Sequence, residues 1–208
     1  LLNSYLPTGV ELDRWDGDCW ASLVGFRFLD MSVKGLPAFG YRNFPEINLR
    51  FYVKREIQGE LRRGVVFVQE LTPHRLVKWV ARSIYNEPYE ALPMRQTVNE
   101  SGALYEVHTD SHWQGIGVKA KGPWRKQNEM ELFITEHYWG YNTQKNNDSM
   151  EYRVEHPVWQ ARSVDLERYD LNVQGLYGNQ WAETLAGKPD TMVFSDGSRV
   201  TVYSGEKI

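Results

Sequence analysis

Cysteine is almost missing from this chain. Cys19 is the one example in 208 residues, so no internal disulfide can form. It lies in the apolar run 19–26, which reads as a buried, inert thiol in a reducing compartment. Long apolar runs are missing too: none approaches the roughly 18 residues of a membrane-spanning helix, so no membrane partner is expected. Charge of one sign is scarce, with a formal net charge of −3 and hence no basic field to draw in nucleic acid. Arg62-Arg63 and the basic residues between Lys119 and Lys126 read as solvated turns. There is no Walker loop, dinucleotide fingerprint or Ser–His–Asp pattern, and Gly115-Ile116-Gly117 lacks the third glycine of a phosphate cradle. Repeats, low-complexity tracts and Pro/Gly/Ser linkers are also lacking. Residues 1–208 are therefore read as one domain, long enough to bury roughly 70–75% of its unfolded surface without staples. The chain begins at Leu1 without Met. A cytoplasmic location is expected, with no cofactor and an oligomeric state left open.

What is present is mostly strand. Residues 46–54 alternate cleanly, with Ile47, Leu49, Phe51 and Val53 on one face and Glu46, Asn48, Arg50 and Tyr52 on the other. Val65–Val68 fits a strand buried on both sides. Further strands are predicted at 19–28, 94–98, 103–113, 116–121, 150–155 and 158–164. Residues 191–194 and 199–203 flank Asp196-Gly197 and are predicted to form a hairpin. Thr72-Pro73 offers an N-cap and first-turn proline for a helix that Pro88 stops. Helices are also predicted over 129–137 and 179–186. Many strands with short connections and few helices predict a mainly β, closed or nearly closed barrel with helical cover.

Several clusters could carry chemistry. Arg42, Glu46, Asn48 and Arg50 form a row that could hold a carboxylate or enolate, with Glu46 as base, if that strand face lines a lumen. The alternative is a solvated face of mutually paired charges. Tyr85, Glu87, Tyr89 and Arg95 could frame a cavity mouth or simply pack on the barrel end. His137, Tyr138, Tyr141, Glu155 and His156 fall in two polar-aromatic blocks that suit a small-molecule wall or a structural network. His108, Asp110 and His112 share a strand face with Glu106, but that face reads as a solvated exterior, and no metal is expected. Lys119 and Lys121 read as an outward pair.

The blocks Leu6–Asp13, Leu23–Phe28, Tyr41–Arg50, Tyr85–Tyr89, Thr135–Tyr141 and Tyr152–Pro157 resemble signatures of the DUF2071, or YqjF-like, family of the acetoacetate decarboxylase-like superfamily. The resemblance implies a β-barrel with an internal cavity and no established activity. Members carry a further segment before the Leu-Pro-x-Gly block, so a missing N-terminal segment is expected. The superfamily's decarboxylases use a lysine that forms a Schiff base, its pKa lowered by an adjacent lysine, beside a pocket glutamate. Where that lysine pair would fall, this chain has Tyr89 and Glu90, neither of which can form an imine, while Glu46 loosely matches the glutamate. The expectation is a cavity that binds a small anionic, keto acid-like molecule, with proton-transfer or lyase chemistry and no Schiff-base lysine. A non-catalytic sensor or carrier, or a protein-interaction module, is the alternative.

Overall fold

A computed structural model describes residues 1–29, 32–33, 36–37 and 43–208. After a turn of 3-10 helix at Leu2–Ser4 come β1 (Glu11–Leu12), β2 (Ala21–Phe28), β3 (Ser32–Val33), β4 (Leu36–Pro37), β5 (Phe44–Ile57) and β6 (Glu60–Thr72). Then follow α1 (Arg75–Ile84), β7 (Tyr89–Ala91), β8 (Met94–Asn99), β9 (Gly102–Thr109), β10 (His112–Lys126) and α2 (Glu129–Thr135). The chain closes with β11 (Trp139–Thr143), β12 (Ser149–Glu155), β13 (Gln160–Tyr169), α3 (Val173–Tyr177), α4 (Asn179–Ala182), β14 (Phe194–Ser195), β15 (Thr201–Val202) and β16 (Glu206–Lys207).

The long hairpin β5–β6 organises the larger sheet. Gln58 and Gly59 both take positive φ, 50° and 83°, as a two-residue turn between twisted strands requires. β1 and β2 pair along the outer edge of β5. The far edge of β6 is divided: β7 pairs with it in parallel at Glu70–Thr72, and β11 at Gly64 and Val65. The sheet continues through β12, which also pairs with β15 and β16. A second sheet runs β14-β13-β10-β9-β8, and β3 pairs with β4 alone. The whole is a mainly β, nearly closed barrel. Among the described residues no ladder joins the two main sheets.

One face of β5 builds the core. Ile47, Leu49, Phe51 and Val53 have no exposure and pack with Val66, Leu71, Val107 and Trp181. Each such side chain contributes about 1.5–3 kcal/mol through burial. No helix among the described residues is long and apolar enough to cross a membrane.

Some sequence expectations need correction. The expected strand 103–113 breaks at Asp110 and Ser111, whose φ values of 48° and 72° turn β9 into β10. Glu106 is buried, not solvated, because Arg95 and Arg168 neutralise it. The helix expected from Thr72 starts later, with His74 at its N-cap, because Thr72 still belongs to β6. The helix predicted over 179–186 ends at Ala182 and is preceded by α3. Residues 191–194 and 199–203 do not form a hairpin. β14 pairs with β13 and β15 with β12, so this segment connects the two sheets.

Candidate functional site

The second face of β5 looks into a cavity of about 830 Å³. β2 and β6 form its walls with β5, α1 and the end of α2 cover it, and residues 184–198 border it. The polar face of β5 is therefore not solvated: Glu46 is 0% and Asn48 1% exposed, and both line the cavity with Arg50. Cys19 also lines it and is half-buried, not fully buried as expected.

A bulge in β6 completes this face. Asn48 pairs with Glu70 and Leu49 with Gln69, but Arg50 pairs with Phe67, so Val68 is an extra residue. Strand side chains alternate, and one inserted residue reverses the alternation beyond it. Val65, Phe67 and Glu70 consequently share the cavity side. Glu70 is buried there and was not among the expected site residues.

Around Glu70 the structure gathers Glu46, Glu87 and Tyr89. Tyr89 donates its hydroxyl to Glu46 Oε2 at 2.6 Å, and Asn48 Nδ2 donates to Glu46 Oε1 at 3.0 Å. Glu87 follows α1 and lies near the divided edge of β6, where Asn142 Nδ2 and the Tyr152 hydroxyl both donate to its Oε1 at 2.8 Å. Gly140 makes room for this: a Cβ there would collide with the Tyr152 ring. Burial pushes Glu46 up to about 7 against the opposing pull of Tyr89, Asn48 and Arg50. It pushes Glu87 up to about 7 as well, against Asn142 and Tyr152. Glu70 is held well above the usual carboxylate range by burial and by the charges of Glu46 and Glu87. Carboxyl groups this close in a dry site cannot all ionise, so the cluster keeps exchangeable protons near neutrality.

A second polar group sits beside α2. Arg50 donates Nη2 to the Ile134 carbonyl at 3.1 Å, and its buried Nε has no partner. His137 is buried against the Tyr52 ring, with Asp13 Oδ2 3.6 Å from its Nε2, long for a hydrogen bond. Burial lowers His137 to about 4, so the ring is neutral. Arg63 Nε donates to the same Asp13 oxygen at 2.7 Å.

Glu46, Asn48, Arg50, Tyr85, Tyr89, His137 and His156 thus line one cavity. Arg95, Tyr138 and Glu155 do not. Arg95 lies on the outer surface, where its Nε and Nη2 donate to Glu106 at 2.6 and 2.7 Å. Tyr138 donates to Glu136 and packs its ring on His156. Glu155 is exposed and accepts the Tyr203 hydroxyl at 2.6 Å. Arg42 lies outside the described residues.

Among the described residues no group of three or more His, Cys, Asp and Glu is arranged to hold a metal ion. Of the described lysines only Lys188 borders the cavity, and it is exposed. Lys119 and Lys121 face outward, Lys121 pairing with Asp165 at 2.5 Å. At the place where the resemblance puts a lysine pair, Tyr89 bonds Glu46, and Glu90 pairs with Lys78 at 2.8 Å.

The fold and cavity define an acetoacetate decarboxylase-like barrel. Three solved structures share it, each matched at TM-scores between 0.56 and 0.58 with 12% identity. They are acetoacetate decarboxylase from Legionella pneumophila subsp. pneumophila str. Philadelphia 1 (99% of this chain, 76% of that one), an acetoacetate decarboxylase-like enzyme from Sphingomonas wittichii RW1 (100% and 85%), and the enduracididine biosynthesis enzyme MppR complexed with pyruvate (99% and 82%). At that identity the likeness shows the fold. Residues 1–199 match the DUF2071 family, described as an uncharacterized conserved protein, and the chain belongs to that family. It is 27% identical over 173 residues to the uncharacterized protein YqjF of Bacillus subtilis (strain 168), a match spanning 80% of this chain and 69% of that protein.

Proposed function

We propose that the cavity binds a small keto acid through its carboxylate and moves a proton at the carbon beside its carbonyl, without forming an imine. Glu46 carries this reading. It is fully buried, held by Tyr89 and Asn48, and raised to about 7, so at neutral pH it can both accept and return a proton. Arg50 lies on the same strand face with an unpartnered Nε, which fits the docking of a carboxylate. Tyr89, its own pKa raised far above the ordinary phenol value by burial, stays protonated and keeps its one O–H on Glu46, fixing the orientation of the base. In this reading the protein acts in the cytoplasm as a small-molecule enzyme of one domain, with MppR's pyruvate as the model ligand.

The test is proton exchange. With pyruvate in deuterated buffer, wild-type protein is expected to speed loss of the methyl proton signal in NMR, and Glu46→Gln to lower that rate by at least about a hundredfold. Borohydride added with acetoacetate should leave no covalent adduct. Pyruvate that binds without exchange would favour a carrier or sensor, and an adduct on a lysine would overturn the imine-free route.

A further inference from the structure

We propose that the carboxyl-rich end of the cavity is a subsite for a hydrogen-bond-donating organic cation, an ammonium or guanidinium group, carried by the same ligand whose carboxylate meets Arg50. The inference rests on the keto acid reading for the second half of that statement and on independent geometry for the first.

The geometry is a shortage of donors. Three acceptor oxygens in the cavity wall have no hydrogen-bond partner: Glu70 Oε1, Glu87 Oε2 and Asn48 Oδ1. Their side chains are 3%, 5% and 1% exposed, so water does not freely serve them. They lie close together, since Asn48 and Glu70 face each other across β5 and β6, and Glu87 is near enough to act electrostatically on Glu70. Leaving such groups unserved is unfavourable, and more so for a charged one. Protonation of Glu70 and Glu87 relieves part of this shortage, but only by keeping both carboxyls neutral. A cation answers the whole set, because an ammonium brings three N–H donors and a guanidinium five. It also lets the carboxyls ionise in place, which no neutral ligand does.

The charges are arranged for a ligand with two ends. Along β5, Arg50 is four residues from Glu46, or about 13 Å between Cα atoms at 3.3 Å per residue. The carboxyls then continue across the sheet, from Glu46 on β5 to Glu70 on β6 to Glu87 near its divided edge. Tyr85, Tyr89 and Tyr152 stand beside this end, and their rings suit a cation's flank. The ligand class is therefore a keto acid with a terminal amine or guanidine.

The experiment compares methylguanidinium with its neutral isostere N-methylurea, by isothermal titration calorimetry on the full chain near neutral pH. Methylguanidinium is expected to bind at least about tenfold more tightly, as a charge-assisted contact of 1.5–3 kcal/mol predicts. Its binding should release protons, seen as a heat that changes with the buffer's ionisation enthalpy. Glu70→Gln and Glu87→Gln should each remove most of the preference, and Glu100→Gln, whose side chain is 96% exposed, should leave it intact. Equal affinity for the two probes, or binding of neither, overturns the inference, and that comparison needs no variant to fold. Retained preference in a folded Glu70→Gln/Glu87→Gln protein overturns it too. If the cation fails while pyruvate still exchanges protons, only this inference falls; if the cation binds without pyruvate exchange, the proposed function falls instead.

Discussion

Glu46 and Glu87 keep their protons up to about pH 7 in the folded protein because burial withholds the water a carboxylate needs. In the unfolded chain the same groups ionise near 4.5. The folded state thus binds more protons between those values, and the groups' contribution to stability is complete below about 4.5 and is lost as pH rises through about 7. Each acts with a slope of at most about 1.4 kcal/mol per pH unit. His137 works in the opposite sense. Its folded pKa of about 4 lies below the ordinary 6.5, so its contribution appears as pH rises through that window. The total profile mixes the two, and Glu46→Gln removes the share of Glu46 together with the push it gives Glu70 and Glu87. Glu46→Gln keeps the shape and removes the charge. Its stability relative to wild type is expected to improve by a few kcal/mol between pH 4.5 and 8 in urea unfolding, with the Gln protein ahead at the alkaline end. A pH-independent difference would mean that Glu46 ionises as freely as an exposed carboxyl.

At the scale of elements, α2 shows how a short helix is fixed. Asn128 accepts from the Glu131 amide at 2.9 Å, and Glu131 Oε2 accepts from the Asn128 amide at 2.8 Å. Arg125 adds two bonds of 2.7 Å to the buried Glu131 carboxylate. The helix end supplies Ile134 to Arg50 and places His137 at the cavity. Asn128→Ala is expected to cost about 1 kcal/mol in chemical unfolding, with Asn128→Ser recovering most of it. Glu131→Ala should cost more than Asn128→Ala, because its bond to the Asn128 amide and its pair with the partly exposed Arg125 are lost together. The sequence placed this helix over 129–137, a little past its end at Thr135, and it showed β5 through strict alternation. It also put Glu46, Asn48 and Arg50 on one side without saying which side held the cavity. Glu70 was hidden for a different reason: the bulge at Val68 breaks the alternation, and counting by twos from Val65 and Phe67 puts Gln69 where Glu70 stands. Glu87 belongs to no periodic element, but the sequence did name it, with Tyr85 and Tyr89, beside a cavity mouth. Arg95, Tyr138 and Glu155 misled because local sequence says nothing of the partners, Glu106, Glu136 and Tyr203, that draw them elsewhere.

At the scale of the molecule, the cavity lies between a wall of long strands and a border held by short ones. β5 and β6 pair from Ile47 with Leu71 to Ile57 with Glu60, interrupted at the Val68 bulge, and their outer face carries the core. The segment from Gly187 to Val193 borders the cavity and belongs to no helix or strand. It is tied down beyond by β14 and β15, which have two residues each, and by side-chain bonds from Trp159 to Ser198 and from the Gln160 amide to Asp196. Local opening is cheapest where few backbone hydrogen bonds and little apolar contact must be broken. Amides of 187–193 should therefore exchange with deuterium at least on the order of a thousandfold faster than the central amides of β5 and β6. Saturating pyruvate is expected to slow exchange in 187–193 selectively, because a filled cavity stabilises the border that touches its contents. Mass spectrometry of peptic fragments reads both effects. Uniform protection across 187–193 and β5 would show that this border is held as firmly as the strand wall.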